Sequence, residues 1–109
     1  MRQYELWWAQ MPEPIGRRPV LLLSRNPAYE YLTRVIVVEI TSTIRSIPVE
    51  VGLGPAEGLP HRSVANFDNV HVVAKERLRS RIGTLRARRI NEVKRALGFS
   101  LDWPELKAV

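Results

Sequence analysis

The residues able to do chemistry are few, and the first of them sit in GRRPVLLLS, Gly16 to Ser24, where two arginines directly precede a proline and an apolar run. A guanidinium stays protonated and presents a planar fork of donors that grips two phosphate oxygens at once, a geometry lysine lacks. Arginines before a strand are equally an ordinary solvated edge, so the residue types alone leave both readings open. Geometry nonetheless separates the pair. Pro19 biases Arg18 toward an extended conformation, and successive extended side chains face opposite ways, so Arg17 and Arg18 cannot both face one groove. For proton transfer the inventory offers Asp68, His61 and His71, with histidine titrating closest to neutrality. Each has a plainer role available, Asp68 as a turn cap or ion-pair partner and His71, in NVHVV, as a hydrogen-bonded strand residue. The absence of cysteine removes disulfides, thiolate nucleophiles and thiolate metal ligands together. Two histidines without a nearby carboxylate cluster argue against zinc, so no metal and no cofactor is expected.

Charge narrows the class of partner. The chain has 17 basic and 11 acidic residues, a formal net charge of +6, and a pI near 10.5. Between Lys75 and Arg95 lie nine basic residues (Lys75, Arg77, Arg79, Arg81, Arg86, Arg88, Arg89, Lys94, Arg95) against Glu76 and Glu92, which concentrates the excess in the C-terminal third. Such a balance suits a polyanion, because neutralising phosphates releases counterions. It also serves plain solubility. No apolar run approaches the roughly 18 residues of a membrane helix, and MRQYELWW has neither the apolar stretch nor the cleavage site of a signal peptide. A cytoplasmic location without membrane contact is expected.

At 109 residues the chain reads as one domain, residues 1–109. A chain of this size leaves much apolar surface exposed, and self-association is a natural way to cover it. Tyr4–Gln10 is rich in strand formers and stops at Pro12 and Pro14. Pro19–Ser24 and Arg34–Thr41 are short continuous apolar runs, as in central strands, and Arg25–Thr33 between them opens on an Asn-Pro turn signal and reads as an irregular loop. Ile47–Gly54 alternates at the period of a half-buried strand. Ser63–Val73 is another strand, with Asn66 and Asp68 expected on one side. Arg77–Leu85 alternates Leu78, Ser80 and Ile82 with Arg77, Arg79 and Arg81, giving a strand with a basic outer face. Ile90, Val93, Ala96 and Leu97 then recur at helical spacing, with Arg88, Arg89, Glu92 and Arg95 facing away and Gly98 as the C-terminal cap. The expectation is mainly β, a small barrel with a C-terminal helix. Trp7 and Trp8 should point to opposite faces, one into the core and the other free to stack a base or meet a second copy.

The order of these segments resembles the MazF/PemK toxins of bacterial toxin–antitoxin pairs. The matching pieces are ELWWA, RRPVLLLS, VIVVEITST, GLPHRSVANFDNV, and RLRSRIGTL leading to a helix that ends VKRALGFSL, in order over about a hundred residues. The resemblance implies an SH3-like small β-barrel that is homodimeric and cleaves single-stranded RNA at short preferred sequences without a metal, through attack of the 2′-hydroxyl. It further implies a cognate antitoxin whose acidic C-terminal segment covers the RNA site, with DNA engaged only indirectly through the antitoxin complex. It assigns the active-site arginine to Arg18 and its hydroxyl partner to Thr41. Around them Arg17, Ser42, Thr43, Asn66, Asp68 and His71 are the expected RNA contacts. Two departures stand out: the acidic motif common in the loop before the arginine is missing, or replaced by Glu13, and Asn66 and His71 occupy positions that are often arginine in relatives.

Three other functions remain compatible with the residues. A non-catalytic barrel would bind nucleic acid through the same basic surface. A gyrase-poisoning toxin of the same fold would act through the end of its last helix, where Trp103 lies in SLDWPELKAV. An inactive toxin retaining only antitoxin binding would account for the missing acidic motif.

Overall fold

The computed structural model describes residues 1–109. Six antiparallel strands form one curled sheet: β1 (Glu5–Gln10), β2 (Arg17–Leu22), β3 (Arg34–Thr41), β4 (Glu50–Leu53), β5 (Ser63–Ala74) and β6 (Leu78–Thr84), in the spatial order β4-β5-β3-β2-β1-β6. The helix α2 (Ile90–Leu101) packs on β4 and β5 and is followed by the short α3 (Pro104–Lys107). This is the expected mainly β fold with a C-terminal helix. The sheet curls into a half-barrel whose edges are β4 and β6. Residues Pro55–Glu57 bridge toward β6 without strand pairing, and Gly83 makes this possible, because a Cβ there would stand 2.0 Å from the Glu57 carbonyl oxygen.

Alternation along the strands gives each face its own core. Leu6, Leu21, Val38, Ile40, Val51, Leu53, Ala65 and Phe67 cluster with Val93 and Ala96 of α2. On the other face Ala9, Val20, Leu22, Val35, Val37, Val73 and Leu78 cluster with Tyr29. A side chain buried as fully as Phe67 or Leu21 contributes about 2–3 kcal/mol relative to exposure. Burial also pushes the Tyr29 phenol up to about 12, while its hydroxyl donates to the Ser24 carbonyl at 2.9 Å.

Several local expectations change. The segment Arg25–Thr33 contains a short helix, α1 (Ala28–Tyr31), which places Ala28 and Tyr29 against the second core. Strand β2 begins at Arg17 and ends at Leu22, before Ser24, whose hydroxyl instead accepts the Ile36 amide at 2.8 Å. Strand β4 starts only at Glu50, because the Glu50 amide closes a turn onto the Ile47 carbonyl at 3.0 Å. Helix α2 runs through Gly98 to Leu101, and the left-handed residue that ends it is Asp102. Gly98 is helical for a packing reason: a Cβ there would lie 2.7 Å from Leu106 Cβ, so its absence lets α3 fold back on α2.

The largest departure lies in β5. Val38 pairs with Val70 and Ile40 with Ala65, so Glu39 alone on β3 faces the four residues Asn66–Asn69. Such a bulge breaks the period-2 rule. Asn66 and Asp68 therefore do not share a side in the way simple alternation predicts.

Candidate functional site

Where β1, β2 and β3 meet the turns after β4, two adjoining depressions open on the surface. The larger, about 400 Å³, is lined by Trp8, Arg18, Pro19, Thr41, Ser42, Thr43, His61 and Ser63 among others. The smaller, about 160 Å³, is lined by Arg18, Glu39, Thr41, Thr43, Arg45, Asn66 and Asn69. Arg18, Thr41 and Thr43 border both, so the two form one groove.

Strand register places these residues. Ala9 pairs with Arg18 and Val20 with Glu39, so Arg18 and Glu39 project from one face of the sheet, and Thr41 follows two residues later on the same side. Arg18 is half-exposed, and its nearest carboxylate oxygen is Glu39 Oε1 at 3.9 Å, too long for a hydrogen bond. Its fork of donors is therefore almost entirely free. Glu39 Oε2 lies 3.1 Å from His71 Nε2, a ring nitrogen that is buried yet has no aligned hydrogen bond, so the pair is a close contact rather than a directed bond. The Thr41 hydroxyl accepts the Thr43 amide at 3.1 Å, which fixes the start of the loop after β3. Thr41, Ser42 and Thr43 thus line the rim with hydroxyls that stand next to a free guanidinium. Such a site can hold a phosphate.

The remaining expected contacts divide. Asn66 lines the groove, and its side-chain oxygen accepts the Asp68 amide at 2.9 Å. Asp68 does not line it: its Oδ1 is 3.0 Å from Ser100 Oγ of α2, a hydroxyl also 2.8 Å from the Phe67 carbonyl. His71 stands behind Glu39 rather than in the groove wall. Glu13 lines neither depression. Arg17, read from the sequence as pointing away from Arg18, stacks its guanidinium 3.9 Å above the Trp8 ring, and Trp8 lines the groove. The two tryptophans do split, with Trp7 packed against the second core and its Nε1–H donating to Glu5 at 3.0 Å. Sequence reasoning missed Glu39, Arg45 and Asn69 as groove residues. A signal for Glu39 existed, since it is the lone acidic residue of RVIVVEIT, in register with Thr41.

The basic stripe expected on a strand from Arg77 to Leu85 is partly spent on structure, and Arg77 itself lies in the turn before β6, which runs only from Leu78 to Thr84. Arg77 donates to the Gln10 carbonyl at 3.1 Å and Arg81 to Glu5 at 3.0 Å. Burial would raise the Glu5 carboxyl, but donors from Trp7, Arg2 and Arg81 outweigh it and hold the group below its ordinary range. No three His, Asp or Glu side chains converge anywhere in the fold, and no helix is long and apolar enough to cross a membrane.

Residues 2–101 match the family of PemK-like, MazF-like toxins of type II toxin–antitoxin systems. The chain is 41% identical over 99 residues to "Probable endoribonuclease MazF5" of Mycobacterium tuberculosis, covering 90% of each. It is 39% identical over 101 residues to "Probable endoribonuclease MazF2" of the same species, covering 92% of this chain and 97% of that one. Among solved structures, Mycobacterium tuberculosis toxin MazF-mt6 superposes with a TM-score of 0.84 at 33% identity, covering 90% of this chain and 96% of that one. An endoribonuclease in complex with its cognate antitoxin, from a mycobacterial species, superposes at 0.81 with 26% identity, covering 95% and 97%. With the family matched over nearly its whole length, the chain belongs to the PemK-like, MazF-like toxins of type II toxin–antitoxin systems.

Proposed function

We propose that residues 1–109 form one toxin domain that cleaves single-stranded RNA, whether messenger, transfer or ribosomal, in the groove of Arg18 and Thr41, inhibiting translation and growth. The observation that carries the reading is the free guanidinium of Arg18 beside the hydroxyl rim of Thr41, Ser42 and Thr43. Relatives in the same family carry the names probable endoribonuclease and endoribonuclease. Attack of a 2′-hydroxyl on the adjacent phosphorus adds negative charge to the phosphoryl oxygens. The Arg18 fork meets that charge where it develops, and a preorganised donor of this kind contributes about 3 kcal/mol. Thr41 donates a hydroxyl hydrogen bond to the same phosphate and restricts its rotation. The chemistry asked of these side chains needs no metal.

Two partners follow from the same reading. A cognate antitoxin with an acidic C-terminal segment would neutralise Arg17, Arg18 and Arg45, and a related endoribonuclease is known in complex with its antitoxin. A second copy of the chain would cover Ile36, Val70 and Val72, each more than a third exposed, of which Ile36 and Val72 are cross-strand neighbours. A cytoplasmic location suits an RNA substrate.

The test is to incubate purified protein with a mixed RNA pool and a chelator and map the ends. Cleavage at a short motif leaving 5′-hydroxyl ends is expected, abolished by Arg18→Ala and reduced about tenfold by Thr41→Ala, the effect of losing one neutral hydrogen bond. Intact RNA with the wild type would refute the enzymatic reading, and full activity of Arg18→Ala would refute the site.

A further inference from the structure

We propose that Glu39 is the base of the cleavage step and that His71 positions it, an inference that rests on the endoribonuclease reading above. Neither Arg18 nor Thr41 can take a proton at neutral pH, because one stays protonated and the other titrates far outside the range. Among all residues lining the groove, Glu39 is the one carboxylate. It shares a strand face with Thr41 and stands beside Arg18 of the adjacent strand β2, so a phosphate gripped by Arg18 presents its neighbouring ribose to the carboxylate. His61 also lines the groove, but it is exposed on a loop and no hydrogen bond fixes its ring.

The surroundings of Glu39 suit this role better than a structural one. Its contact with Arg18, at 3.9 Å, is too long to serve as a fastening. One oxygen is backed by the buried His71 Nε2 at 3.1 Å, which leaves the other directed at the groove. The charged groups facing it are Arg18 from β2, His71 from β5 and Arg45 from the loop after β3. The bulge in β5 supplies the room, because Asn66–Asn69 bow away opposite this single residue.

In the proposed step the 2′-hydroxyl proton passes to Glu39 Oε1 as the 2′-oxygen bonds to phosphorus. The bond from phosphorus to the 5′-oxygen breaks, giving a 2′,3′-cyclic phosphate. The departing oxygen takes a proton from water in the open groove, and Glu39 returns its proton to solvent, so none is consumed.

Single-turnover cleavage of an RNA oligonucleotide carrying one mapped site tests the assignment. Glu39→Gln, which keeps the size and should melt as the wild type does, should cut about 100-fold more slowly. Its affinity for the same oligonucleotide with a 2′-deoxy scissile nucleotide should be unchanged or tighter. Glu39→Ala should regain cleavage with added formate, and Arg18→Ala should not. His71→Gln should lower the rate about tenfold and leave affinity intact. Cleavage by Glu39→Gln at the wild-type rate or faster would overturn the proposal, making Glu39 a placeholder on Arg18 that RNA displaces. Failure of formate on Glu39→Ala would overturn it as well. Uncut RNA with the wild type would instead remove the endoribonuclease reading beneath it.

Discussion

Arg18 and Arg89 are the same residue type put to opposite uses. Arg89, just before α2, uses all three nitrogens: Nε and Nη2 meet both oxygens of Glu92 at 2.8 Å, Nη1 meets Glu57 at 3.3 Å, and Nη2 also meets the Gly52 carbonyl at 2.6 Å. Glu57 is buried and further accepts the Gly54 amide at 2.7 Å. This cluster ties the helix to β4 and to the turn that reaches β6. Hydrogen bonding to Arg89 holds the Glu92 carboxyl below its ordinary range, and the same bond raises the already high pKa of Arg89. Arg18 has one distant carboxylate and an open groove. A satisfied guanidinium is structure, and an unsatisfied one is capacity to bind an anion.

Exchanging each arginine for lysine or alanine sharpens the contrast. Arg18→Lys keeps the charge but loses the fork, so cleavage should fall about 100-fold, close to 3 kcal/mol of transition-state stabilisation, while thermal melting stays where it was. A shifted melting curve would show that Arg18 also supports the fold. Arg89→Ala should do the reverse. It strands the buried Glu57 carboxylate and a carbonyl, costing about 2 kcal/mol and lowering the melting midpoint by about 10 °C, with cleavage per folded molecule unchanged.

Acid probes the same cluster more gently. Because Glu92 and Glu5 have folded-state values below their unfolded ones, the stability they add is present above the ordinary glutamate value of 4.5 and is lost as pH falls through the depressed values. Denaturant midpoints should therefore fall between pH 5 and pH 3, and Arg89→Ala should flatten that slope. An unchanged slope would mean the pairing contributes nothing. The smallest effect is expected from Arg17→Ala, which removes the cation over Trp8. RNA affinity should weaken about threefold, in line with roughly 0.5–1 kcal/mol for an exposed cation–π pair, and a loss as large as that of Arg18→Ala would make Arg17 an equal partner.

The sequence is most legible where a period runs unbroken. Val93, Ala96 and Leu97 mark the inner face of α2, and the alternation in β6 and the apolar run of β3 predict strands that form. Arg18 and Thr41 reach one groove as the family resemblance implies. What stayed hidden depends on contacts between distant segments. Gly98 looks like a cap until α3 folds against it, and Arg89 looks solvent-facing until Glu57 arrives from 32 positions away. Asp68 is drawn to Ser100 because β5 bulges, which no local pattern announces. Glu39 was overlooked because a single acid within RVIVVEIT reads as the outward side of a strand, when that side is the groove.

The bulge at Asn66–Asn69 also sets where the gene can change length. Ala65 and Val70 lie an odd number of positions apart, yet both pair with residues on the same face of β3, Ile40 and Val38, so the segment between them has already reversed the alternation once. Because that segment has no partner on β3, residues can be gained or lost in it while His71 stays opposite Val37. Length variation at this point would act as a dial on the room around Glu39.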